Sequence, residues 1–146
     1  MYVINFYGRN VEESDAFNTH YTINVDQIVM IKDNKDERFI IVTANSGSFL
    51  AGKTPKFTKL SDGVPITFIQ FTGKLMPENE EERMCLTLIR QDQFIMHYQK
   101  SHNQKSSDKF IYQTKLGQFI ANDNHQNVVQ VTDGYAFDYT VSNQFL

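Results

Sequence analysis

The sequence predicts an all-β fold: a single closed antiparallel domain over residues 1–146, with about twelve short strands written as three units. Three observations carry this. Apolar and polar residues alternate over short stretches bounded by Gly, Asn, Asp, Ser and Pro, the pattern of half-buried strands. A step of 45 residues aligns ERFIIVTAN at 37–45 with ERMCLTLIR at 82–90 and NVVQVTDGY at 127–135. The same step brings together Ile4, Phe49 and Phe94, then Met30, Leu75 and Ile120, then Ile41, Leu86 and Val131, with Asn34, Asn79 and Asn124 also coincident. Repeated units that cannot each close a core stack to form one.

In chain order, residues 2–7 alternate with Ile4 and Phe6 on one face, and residues 8–19 form a polar connector. Residues 22–25 and 28–31 are two short strands separated by Asp26; the turn formers DNKDE at 33–37 lead into a strand at 39–43. The middle unit has strands at 48–51, 66–71 and 73–76, with residues 53–63 as a loop. After Pro77 and its acidic run, residues 84–89 read as a strand because Thr87 and Ile89 favour extended backbone. The last unit has strands at 94–98, 110–114, 119–121 and 128–131, with the polar loop KSHNQKSSD at 100–108 and the turn NDNHQN at 122–127. Residues 135–141 read like the first strand of a unit, which would close the shell and remove its free edges. A β-sandwich or a meander barrel is the alternative arrangement.

Composition narrows the classes. Hydrophobic residues make up 40 % and aromatics 13 %, enough for a packed core in one domain. The longest apolar run is far below the roughly 20 residues that cross a bilayer. The opening MYVINFYGRN lacks a basic leader followed by an apolar segment, so a cytoplasmic chain or leaderless export is expected. A net charge of −3 gives little grip on phosphate backbones, so nucleic acid is not expected as a partner, nor is a membrane. Cys85 is the only cysteine, so no internal disulfide forms, and its neighbours make it a strand thiol.

Three units of four strands, with FIYQTKLGQFIANDNHQNVVQV at 110–131 and FDYTV at 137–141, resemble the β-trefoil superfamily, closest to its interleukin-1-like and fascin-like members. The resemblance implies a rigid β scaffold whose loops bind other molecules. The Gln-x-Trp element of ricin-type lectins is absent from a chain without Trp, so that sugar site does not carry over.

One motif matches a phosphate loop: Gly47-Ser48-Phe49-Leu50-Ala51-Gly52-Lys53-Thr54 fits G-x-x-x-x-G-K-[ST]. Gly47, Gly52, Lys53 and Thr54 would then hold a nucleotide, but Pro55 follows directly and no alternating β and α pattern surrounds the motif. His97, His102 and His125 lack zinc spacing, and residues 33–37 lack the Gly and distal Glu of a calcium loop. No metal, cofactor or catalytic group is expected. The reading is therefore a non-enzymatic binding protein that presents loops to a protein partner, cytokine-like, inhibitory or structural in an assembly. Phe57, Tyr98, Lys100, His102 and Lys105 are the candidate protein-binding residues. A lectin-like glycan site at Asn122, Asp123, Asn124 and His125 is the second class.

Overall fold

The computed structural model describes residues 1–12, 19–34, 38–76, 84–100, 109–121 and 126–137. The all-β expectation holds: β1 (Tyr2–Asn10), β2 (Thr19–Asn24), β3 (Ile28–Asp33), β4 (Phe39–Ala44), β5 (Gly47–Gly52), β6 (Lys56–Lys59), β7 (Ile66–Leu75), β8 (Cys85–Arg90), β9 (Phe94–Lys100), β10 (Lys109–Thr114), β11 (Gly117–Ala121) and β12 (Asn127–Val131). Single 3-10 turns at Val25–Gln27 and Gln91–Gln93 are the only helical pieces among the described residues.

The expected closure is corrected. The strands form one antiparallel sheet in the order β2-β1-β5-β4-β3-β8-β7-β11-β10-β9, with β6 also on β1 and β12 also on β7; among the described residues it is not closed, the order ending at β2 and β9, and residues 138–141 of the expected closing strand lie outside them. The threefold step is corrected with it. Ile4, Phe49 and Phe94, which that step aligns, lie on β1, β5 and β9, whose ladder partners differ.

The repetition present is twofold. Strand, strand, 3-10 turn and four strands occur in residues 2–59 and again in residues 66–131. The steps between equivalent residues are 65 in β1 and β7, 66 from β2 to β3, 70 in β4 and β5, and 71 in β6. INFYGR at 4–9 matches IQFTGK at 69–74, DQIVM at 26–30 matches DQFIM at 92–96, and GSFLA at 47–51 matches GQFIA at 117–121. Ladder registers repeat as well. Ile4 opposes Ile23 on one side and Phe57 on the other, as Ile69 opposes Ile89 and Val128. A register irregularity skips Val29 between β3 and β4, and another skips Ile95 between β9 and β10.

Loop hydrogen bonds repeat too. Val11 N donates to Ser48 O at 3.0 Å as Met76 N does to Gln118 O at 2.8 Å; Asn45 N donates to Gln27 O at 2.9 Å as Lys115 N does to Gln93 O at 2.8 Å.

Packing follows the same division. In the first unit Phe6 meets Phe49 edge-on at 6.0 Å, and Tyr21 from β2 completes the group at 4.8 Å from Phe49. In the second, the equivalent Phe71 meets Phe119 edge-on at 5.4 Å, and Tyr112 from β10 takes the third place at 4.4 Å from Phe71. Tyr112 is fully buried and its hydroxyl donates to Gln126 Oε1 at 3.0 Å, so the phenol has a partner at the edge of an apolar group.

Strand β1 runs on through Gly8, past the end expected at residue 7, and β7 is one strand through Gly73 in place of the two expected at 66–71 and 73–76. Both glycines sit where β5 or β11 crosses: a Cβ on Gly8 would lie 1.9 Å from Leu50 O, and one on Gly73 2.7 Å from Ile120 O. Gly here permits close backbone approach rather than breaking the strand. Beyond these crossings the partner changes from β5 to β6, and from β11 to β12.

The two units join at one place. β3 of the first pairs with β8 of the second, with Met30 opposite Ile89, Ile31 opposite Leu88 and Lys32 opposite Thr87. Leu86 and Leu88 face the larger core with Ile31 and Phe68, while Ile89 faces the second core with Phe71 and Phe119. The seam is thus buried on both faces.

Candidate functional site

Every ladder of the first unit has its counterpart in the second except the seam, and among the described residues four strands carry a ladder on one side only: β2 and β9 at the ends of the strand order, β6 on β1 and β12 on β7. An edge strand offers a row of backbone donors and acceptors to any extended chain, and proteins normally blunt such edges with charge, Pro or a covering loop. Thr19–Asn24, THYTIN, carries no Lys, Arg, Asp or Glu, and Phe94–Lys100, FIMHYQK, carries only Lys100. On β9 Ile95 is 49 % and Met96 46 % exposed, whereas their counterparts on β3 are covered: Val29 is 6 % exposed and Met30 half-buried.

The candidate protein-binding residues divide. Tyr98 is half-buried and Lys100 exposed, both on β9, so they belong to this edge. Phe57 is buried and stacks edge-on with Tyr135 at 5.3 Å; its ring fills the core and is not offered to a partner. His102 and Lys105 lie outside the described residues, as do Asn122, Asp123, Asn124 and His125 of the glycan candidate. The other edge residues, Ile95, Met96, His97, Thr22 and Ile23, escaped a reading that looked to loops. Their signal is a strand with at most one charged residue.

At the phosphate-loop match, Gly47 to Gly52 is strand β5, laddered to β4 from Ala44 opposite Gly47 to Phe39 opposite Gly52. Lys53 Nζ pairs with the buried Asp33 carboxylate at 2.8 Å and donates to Asn34 O at 3.2 Å. Its charge is spent inside the protein, neutralising a carboxylate that burial would otherwise penalise. Thr54 lines a cavity of about 780 Å³ together with Lys53, Phe57, Asp133, Tyr135 and Phe137. Cys85 is a buried thiol on β8. No helix of the described residues is long and apolar enough to cross a membrane.

The seam carries a polar clamp. Arg90, at the end of β8, donates through Nη1 to Asp26 O and to Ile28 O at 3.2 Å, and through Nε to Asp92 Oδ1 at 2.7 Å. The hydrogen bond from Arg90 is the main cause that holds the Asp92 carboxyl below its ordinary range; desolvation opposes it. A lowered folded value means the ionised form is favoured in the fold, so its contribution is present above the ordinary aspartate range and is lost as pH falls through the lowered value. Arg90→Ala is expected to raise the Asp92 titration midpoint back toward the ordinary aspartate value, read by carboxyl-carbon NMR; an unmoved midpoint would mean the clamp is not formed.

No protein-family model, no curated protein and no solved structure matches this chain.

Proposed function

We propose that this chain is a non-enzymatic binding protein that engages a protein partner by strand addition at the β9 edge. The observation that supports this most directly is the exposure of Ile95 and Met96 on a strand that, among the described residues, has a ladder on one side, and that carries a single charged residue. In strand addition, main-chain hydrogen bonds supply affinity while alternate side chains supply specificity. Here Met96 and Tyr98 lie on one face, and His97, whose ring centroid is 5.8 Å from that of Tyr112, lies with Gln99 on the other. Lys53, the cation of the phosphate-loop match, is engaged with Asp33, which favours a partner-binding role over a nucleotide one.

The test is site-specific photo-crosslinking in the native host with the crosslinker at Tyr98, compared with the exposed position Leu60. A protein adduct is expected from Tyr98, absent from Leu60 and lost with Met96→Glu. Equal adducts from both positions, or none from Tyr98, would remove the reading.

A further inference from the structure

We infer that the partner at the β9 edge is the β2 edge of a second copy of this chain, joined head to tail in the register that β3 and β8 use inside one molecule. The inference rests on the strand-addition reading above and names its occupant.

One equivalence of the twofold repeat is missing. Under the twofold repeat, β9 is the counterpart of β3 and β2 the counterpart of β8. Among the described residues the β3–β8 seam is the one ladder made between units, and its counterpart, β9 with β2, is not made within the molecule, where those strands stand at the two ends of the strand order. A second copy supplies it.

Transferring the seam register gives definite pairs. Met30 opposite Ile89 becomes Met96 opposite the second copy's Ile23; Ile31 opposite Leu88 becomes His97 opposite Thr22; Lys32 opposite Thr87 becomes Tyr98 opposite Tyr21. The first pair remains apolar and the last becomes aromatic, as cross-strand pairs favour. The middle pair exchanges two buried aliphatics for a histidine and a threonine, and β2 also has the exposed His20 where β8 has the buried Leu86. That exchange is the difference between a permanent seam and a joint between separately folded chains, which tolerates water at its edges until it forms. Asn24 stands where the seam has Arg90, and its side chain accepts from Asp26 N at 3.2 Å, so the joint lacks the arginine clamp and is weaker than the seam. Because the two edges differ, the contact is heterologous, and successive copies form a ring or a filament rather than a twofold dimer.

Two measurements on the full chain test this. Sedimentation equilibrium should show a mass rising with concentration above the 17.0 kDa monomer, and Ile95→Glu with Met96→Glu should return it to monomer. Second, Ile23→Cys in one chain and Met96→Cys in another are mixed and oxidised. Directly opposed Cα atoms in an antiparallel ladder lie within disulfide reach. A linked dimer is expected from the mixture and from neither chain alone. Thr22→Cys mixed with His97→Cys repeats the test at two exposed positions, which guards against a misfolded Ile23 variant.

A chain monomeric at every concentration, or a disulfide dimer formed as readily from Met96→Cys alone, overturns the head-to-tail joint. If the chain is monomeric while Tyr98 still crosslinks a different protein, the edge-binding function survives and only its occupant is wrong.

Discussion

Leu88→Ala is expected to lower stability by about 2–5 kcal/mol, the range for large-to-small changes at sites that cannot collapse. Leu88 is fully buried on β8, opposite Ile31 across the seam, and it faces the core that residues of both units build. The loss combines the transfer of its side chain with a cavity among residues that the ladders hold in place. Urea unfolding followed by far-UV circular dichroism should show one transition with an earlier midpoint, because the seam ties both units together. Leu60→Ala, at a position 57 % exposed, should stay within about 0.5 kcal/mol of the native chain. Equal effects at the two positions would mean that β8 is not internal.

Gly8→Ala is the second large effect. The added Cβ would meet a main-chain oxygen at 1.9 Å, and main chain on both sides is held by ladders, so neither strand yields cheaply. The expected loss lies at or above the top of the roughly 1–3 kcal/mol typical of overpacking. Gly73→Ala, with its nearest oxygen at 2.7 Å, should cost less. Thermal unfolding of the two variants checks the order. A reversed order, or no shift in either, would deny that β5 and β11 cross where described.

Much of the fold was legible in the residues. Alternation located nearly every strand, because a half-buried sheet imposes a period of two on its side chains. The arrangement of those strands was not legible from a fixed step. In a chain of alternating strands apolar residues coincide at many spacings, so Ile4, Phe49 and Phe94 aligned without being equivalent. The true repeat was hidden because its step drifts from 65 to 71 as loops differ in length between the units. The pairs that do report it are the unusual ones: Gly8 with Gly73, Gly47 with Gly117, and Asp26-Gln27 with Asp92-Gln93. Each is fixed by backbone geometry rather than by hydrophobicity. Gly47 and Gly117 adopt φ of 142° and 135°, where a side chain is strained, and the Asp-Gln pairs each complete a 3-10 turn in which Gln donates to Asp.

The site was less legible than the fold. Tyr98 and Lys100 border a polar loop and lie on β9, whereas Phe57, expected on a loop, is buried on β6. A short strand with a single buried Phe between polar neighbours gives no alternation long enough to detect. That β9 is an edge follows only from knowing which strand β3 pairs with.

The fold turns on the seam: two copies of one unit, joined by β3 and β8, in a sheet that among the described residues is open at β2 and β9. An experimental structure of the full chain tests this most directly. It should place Ile31 opposite Leu88, superpose β1 to β6 on β7 to β12, and leave β2 and β9 unjoined within one molecule. A closed sheet in which β9 pairs with β2 of the same chain, or one in which Ile4, Phe49 and Phe94 superpose, would contradict it.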